Sequence, residues 1–206
     1  MADIGRTTLV IATRNPGKVT EFRRLLGALP LRVVSLDEAG VDAGFEVDET
    51  GKTFGDNARL KAEQYHAASG ELTLADDSGI EVDALGGRPG VHSARYVRPG
   101  QTDEEGRERM LEEMGDVPGW RRQAHYRVVI AIVGPQTGGE IHCFDGACEG
   151  AIAHASIGVG GFGYDPIFWL PSERRTMAEL SADEKDAVSH RGVAVRKAIT
   201  YLKTVI

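Results

Sequence analysis

Two adjacent carboxylates, Asp76 and Asp77, stand in the segment Ala75-Asp76-Asp77-Ser78-Gly79. Neighbouring side chains of an extended chain point to opposite faces, so one carboxylate can enter a cleft or bind a metal while the other braces the chain. The short β-rich run Leu72-Thr73-Leu74-Ala75 precedes them, and Ile80, Val82 and Ala84 alternate beyond them. The pattern predicts an acidic turn between two extended segments. The carboxyl end of a strand is where α/β proteins place ligand groups, but Asp and Gly also dominate ordinary turns. Metal site and plain turn are both open on local chemistry. A second acidic stretch, Glu46-Val47-Asp48-Glu49, precedes Thr50-Gly51. Asp48 or Glu49 can supply the second hard oxygen that magnesium takes alongside phosphate oxygens and water, and solvated loop charge is the commoner use of such a run.

Basic residues cluster at two places. Thr13-Arg14-Asn15-Pro16-Gly17-Lys18 lies where a strand turns into a helix, and the unsatisfied N–H groups and dipole of a helix start favour an anion such as phosphate. The segment is not a Walker A loop, because Ala12 stands where that pattern has Gly and Val19 where it has Ser or Thr. A capped helix start with a solvated Lys18 is the plain alternative. Lys185, His190 and Arg191 flank the start of the last helix, and Arg191 offers a planar fork suited to a carbonyl or phosphate oxygen. On the helix after Gly51, Asn57 and Lys61 lie four apart and share a face. Gly158-Val159-Gly160-Gly161-Phe162-Gly163 matches a dinucleotide-binding expression, but the Pro-interrupted, aromatic stretch Tyr164-Asp165-Pro166-Ile167-Phe168 that follows excludes the required helix. It reads as a glycine-rich loop that lets backbone approach a flat ligand, with Phe162 placed to stack.

The elements that must hold these residues follow from periodicity. Leu9 to Ala12 is a strand, Asn15 caps a helix with Pro16 at its first position, and Val19, Phe22, Leu26 and Leu29 recur on one face. Leu31 to Leu36 completes a β-α-β start. A helix from Thr53 carries Phe54, Ala58, Ala62 and Tyr65 on one face and stops at Ser69-Gly70. Thr102 to Glu105 and Ser181 to Glu184 have the form of capping boxes. Arg127 to Val133 is a strand turned back by Gly134–Gly139 into Glu140 to Phe144, an expected antiparallel pair, and Val195, Ile199, Leu202 and Ile206 give the last helix its buried face. The sum is α/β with a mixed sheet.

Composition narrows the class. The 206 residues are 41% hydrophobic, enough for a real core, and their net charge of -7 argues against a broad nucleic-acid or anionic-membrane surface. Met1 to Arg6 lacks the apolar region of a signal peptide and no run reaches a membrane span, so a cytoplasmic protein without membrane or nucleic-acid partners is expected. Cys143 and Cys148 read as ordinary semi-buried thiols.

Taken in order, Thr13-Arg14-Asn15-x-Gly17-Lys18, Thr53-Phe54-x-x-Asn57-Ala58, Ala75-Asp76-Asp77-Ser78-Gly79, Gly87-x-Pro89-Gly90-Val91-x-Ser93-Ala94-Arg95-Tyr96, Gly160-Gly161-Phe162-Gly163-Tyr164-Asp165-Pro166 and Ser189-His190-Arg191-Gly192 closely resemble the inosine triphosphate pyrophosphatase family. The resemblance spans nearly the whole chain. It implies a single pyrophosphatase domain over residues 1–206, with an elongated mixed central sheet flanked by helices and two lobes around an active-site cleft. It also implies a homodimer and Mg2+-dependent hydrolysis of ITP, dITP and XTP to monophosphate and pyrophosphate. Residue by residue, Thr13, Arg14, Asn15, Pro16, Gly17 and Lys18 correspond to the phosphate-binding turn, Asp77 to a metal-binding general base, and Ser78 to a substrate contact. Phe162, Gly163, Tyr164, Asp165, Lys185, His190 and Arg191 correspond to groups that hold base and sugar. The second metal carboxylate corresponds to Asp48 or its neighbour Glu49, and Arg14 stands where many relatives have Gly. A pyrophosphatase for another modified nucleotide and a nucleotide sensor without turnover are the competing expectations.

Overall fold

A computed structural model describes residues 6–206. The opening segment Met1–Gly5, part of the argument against a leader, lies outside the described residues. Strand β1 (Thr7–Ile11) sits between β2 (Leu31–Ser35) and β3 (Leu72–Val82) and pairs with both in parallel, Leu9 opposite Val33 on one side and Leu72 on the other. With β4 (Gln123–Val133), β5 (His142–Ile152), β6 (Phe168–Leu170) and β7 (Arg175–Thr176), these form one seven-stranded sheet in the order β2-β1-β3-β4-β5-β6-β7. β6 pairs antiparallel with β5 and β7, so the sheet is mixed, as expected. The helices are α1 (Pro16–Leu26), α2 (Phe54–Ser69), α3 (Asp103–Glu113), α4 (Ala182–Val188) and α5 (His190–Val205). None of the described helices is long and apolar enough to cross a membrane.

The chain divides into two compact units. The first holds the described residues up to Asp77, together with Val128–Gly146 and Gly192–Ile206; the second holds Ser78–Arg127 and Ala147–Arg191. Alternation organises the first. Leu9, Ile11, Leu72 and Leu74 pack with Phe22 and Leu26 of α1 and Val195 and Leu202 of α5, whereas Val10, Ala12 and Ala75 pack with Ala58, Ala62 and Tyr65 of α2. Successive residues of one strand therefore feed opposite layers. The second unit has its own core, built from Ile80, Val82, Met110, Tyr126, Ile167 and Phe168 among others. Cys148 is buried in it and Cys143 is half-buried in the first unit; both are free, and burial pushes both thiols up, that of Cys148 to about 11.

Two expectations are corrected. No turn occurs at Asp76-Asp77: β3 runs unbroken from Leu72 to Val82, so the acidic pair is strand rather than turn. Strand pairing overrides the turn preference of Asp-Ser-Gly because β3 lies inside the sheet with β1 and β4 as neighbours. As expected, Lys185, His190 and Arg191 flank the start of the last helix: Ser181 caps α4, and Ser189 lies at extended dihedrals ahead of α5. Ile206 lies beyond α5 and is exposed, so the apolar face rests on Val195, Ala198 and Leu202. Both expected capping boxes are present, and Thr53 and Asp56 form a third at α2, where Asp takes the place of the commoner Glu.

Candidate functional site

The alternation of β3 decides where its carboxylates go. Asp77 shares the face of Ala75, on the α2 side, and Asp76 shares that of Leu74, on the α1 side. Asp77 accordingly meets α2: Asn57 Nδ2 donates to its Oδ2 at 3.0 Å and Lys61 Nζ to its Oδ1 at 3.3 Å. Asp76 meets α1, where Lys18 Nζ lies 3.1 and 3.0 Å from its two oxygens. Asn57 (0% exposed), Asp76 (1%) and Asp77 (6%) are all withdrawn from water, so these bonds act in a medium of low dielectric.

Asn57 cannot turn its amide over. Its Oδ1 accepts from Gly51 N at 2.8 Å, which leaves Nδ2 as the donor to Asp77. A Cβ on Gly51 would lie 2.5 Å from that Oδ1 and 2.9 Å from Asn57 N, so only glycine fits this approach. The same loop carries Glu49, whose Oε1 lies 2.6 Å from Lys61 Nζ; Asp48 is exposed. Glu49 and not Asp48 therefore joins Asp77. Burial holds the Asp77 carboxyl above its ordinary range, against the opposing pull of Lys61. Burial disfavours the Lys61 ammonium too, but Asp77 and Glu49 outweigh it and raise its pKa. Two carboxylates on one ammonium sum to one negative charge, and their oxygens are hard donors, a set that suits a divalent cation such as magnesium.

The expected phosphate turn is a capped helix start. Asn15 Oδ1 caps α1 by accepting from Lys18 N, and Thr13 Oγ1 accepts from Asn15 N. Pro16 and Gly17 open the helix. Arg14, however, extends its guanidinium onto the loop after β2: Nη1 donates to Asp37 Oδ1 at 2.7 Å and Nη2 to Asp42 O at 2.6 Å and Phe45 O at 3.4 Å.

In the second unit the expected residues gather on Asp165. Its buried carboxylate accepts from Phe162 N at 2.9 Å, Lys185 Nζ at 2.7 Å and Tyr126 OH at 3.1 Å, which makes it the brace of the glycine-rich loop. Gly161, at φ +70°, leaves room for it, since a Cβ there would lie 2.1 Å from Asp165 Oδ2. Lys185 Nζ lies 4.6 Å and the Arg191 guanidinium 5.6 Å from the Phe162 ring centre, so the ring is already a surface for π contacts. Arg191 Nη2 donates to Ser78 Oγ at 3.1 Å, and the His190 imidazole stacks on Tyr126 at 4.5 Å and 14°. Gly163 is held at both backbone groups, N to Asp103 Oδ2 and O from Arg107 Nη1, and Tyr164 is buried with its hydroxyl on Ser93 O. Tyr126, Asp103 and Arg107 escaped the sequence reading; Asp103 and Arg107 lie four apart on α3, the one spacing that hinted at a shared face.

The glycine-rich loop runs into the short turn Asp165–Ile167 and β6 rather than into a helix, so this open mixed α/β sheet is not of the dinucleotide-binding class. The Ham1 family matches residues 9–201, and the chain belongs to that family. It is 48% identical over 198 residues to a dITP/XTP pyrophosphatase of Symbiobacterium thermophilum, covering 96% of each chain. To a dITP/XTP pyrophosphatase of Desulforamulus reducens it is 47% identical, covering 94% of each. Among solved structures, a HAM1 protein from Coxiella burnetii superposes with a TM-score of 0.84 at 38% identity, covering 96% of this chain and 99% of that one.

Proposed function

We propose that this chain hydrolyses deaminated purine nucleoside triphosphates (dITP, XTP and ITP) to the monophosphate and pyrophosphate, with Mg2+ held by Glu49 and Asp77. The observation that carries the reading is the Glu49-Lys61-Asp77 group with Asn57 fixing the Asp77 carboxylate, in a chain whose relatives are named dITP/XTP pyrophosphatases.

Asp77 takes the proton of the attacking water at a carboxylate oxygen. Its buried, hydrogen-bonded setting fixes the direction of that oxygen. Magnesium, when bound, supplies charge neutralisation on the phosphate oxygens. Lys18, steered by Asp76 at the start of α1, and Lys61 neutralise charge on the leaving pyrophosphate. In the first unit the helix start at Asn15 to Lys18 suits a phosphate, and in the second the Phe162 face suits a purine. Arg191 and the N–H groups where α5 begins at His190 donate to the 6-keto oxygen of hypoxanthine or xanthine. A 6-amino group brings donors to donors and leaves buried groups unpaired, which disfavours ATP. The homodimer and the cytoplasmic location belong to the same proposal and rest on the family resemblance and on composition.

Incubation with dITP, XTP and the four standard ribonucleoside triphosphates, with and without magnesium, tests it. Magnesium-dependent pyrophosphate release from dITP and XTP is expected; orthophosphate as product, or equal rates on ATP and dITP, contradicts it.

A further inference from the structure

Residues 36–53 contain turns but neither a strand nor an α-helix, and Glu49 depends on this stretch for its position. Its later half is docked on α2, by the edge-on contact of Phe45 with Tyr65 at 5.5 Å, by Glu49 on Lys61 and by Gly51 on Asn57. Its earlier half is gripped by Arg14, whose fork reaches one side chain and two backbone carbonyls across the Asp42 to Phe45 turn. That turn is closed by its own bonds, Phe45 N to Asp42 O and Gly44 N to Asp42 Oδ1, so the guanidinium grips a preformed unit. An Arg fork fits this task because it presents several donors in a rigid plane, which an ammonium cannot match.

We propose that Arg14 is a positioning residue and not a phosphate ligand: it straps the Asp37–Phe45 loop to the helix-start turn and thereby holds Glu49 beside Lys61 and Asp77. This rests on the reading of Glu49 and Asp77 as the magnesium carboxylates. The strap bears on metal affinity and leaves the nucleotide's own contacts to the rest of the turn. Loss of a support behind a metal ligand weakens metal binding by about tenfold or more.

The test uses the whole enzyme and the variants Arg14→Gln, Arg14→Lys and Asp37→Asn, with amide hydrogen exchange of residues 38–49 as a readout independent of turnover. Arg14→Gln is expected to speed exchange in that loop and to raise the magnesium concentration for half-maximal rate roughly tenfold, with KM for dITP at saturating magnesium held within about twofold. Arg14→Lys and Asp37→Asn are expected to lie between it and the wild type on both scales. Unchanged exchange with a higher KM and weaker inhibition by pyrophosphate makes Arg14 a phosphate ligand and overturns the proposal. Faster exchange with an unchanged magnesium requirement overturns it too. Failure of the underlying reading shows separately, as a Glu49→Gln variant whose magnesium requirement equals that of the wild type.

Discussion

At the scale of single residues, Asp77 owes its character to two neighbours and to burial rather than to its own side chain. Lys61 supplies charge, Asn57 supplies direction, and burial supplies the raised pKa. Replacing it with Asn keeps the size but leaves one accepting oxygen for the two donors Asn57 and Lys61, and removes the proton acceptor. Asp77→Asn is expected to lower kcat by about 10²- to 10⁴-fold while dITP still binds, as measured by calorimetry; full turnover would remove Asp77 from the role of base. Asn57→Ala leaves the direction of the carboxylate unset, and Gly51 loses its acceptor. Its expected signature is a fall in kcat with KM for dITP little changed, measured in steady state, whereas a rise confined to KM would make Asn57 a substrate contact.

At the scale of elements, most positions were legible because their signals were local. Asn15 with Pro16, and the Thr102 and Ser181 capping boxes, announced their helices, and short continuous apolar runs announced β1 and part of β4. The strand nature of Asp76-Asp77 was hidden because Asp, Ser and Gly read as turn, and only pairing within the sheet reverses that. The pairing of Lys61 with Glu49 beside an exposed Asp48 was equally hidden, since it depends on where α2 places Lys61. Gly161 belongs to this scale as well. Gly161→Ala forces a Cβ onto Asp165 Oδ2 and holds an unfavourable positive φ, at a cost of about 1–3 kcal/mol. Thermal unfolding should register that loss, and KM for dITP should rise more than kcat falls if the loop carries the base. On β4, His125 is bonded to Glu149 and, at 2.9 Å, to Asp83. Burial lowers its pKa, but the two carboxylates win and raise it, so the stability it adds is present below about pH 6.5 and lost as pH rises through the folded value. An imidazole titration by NMR should place His125 above a free histidine and show it falling in Glu149→Gln; a value at or below the free one would contradict the geometry.

For the molecule as a whole, the excess of acidic residues is organised rather than diffuse. Glu38, Glu105 and Glu184 are each held below the ordinary carboxylate range, Glu38 and Glu105 chiefly by backbone N–H groups and Glu184, at about 2, chiefly by Arg175. A depressed folded pKa gives stability that is present above the unfolded value of about 4.3 and lost as pH falls toward the folded one. Thermal midpoints should therefore decline between about pH 5 and pH 2, and less steeply in Glu184→Gln; a flat profile would mean these carboxylates add nothing. The reaction proposed for the chain is attack of water on the α-phosphorus, with pyrophosphate leaving. Turnover of dITP in heavy-oxygen water with magnesium, followed by mass spectrometry of both products, reads the position of that attack directly. Label in the nucleoside monophosphate and none in pyrophosphate is the predicted result; label in pyrophosphate, or release of labelled orthophosphate, would contradict the account.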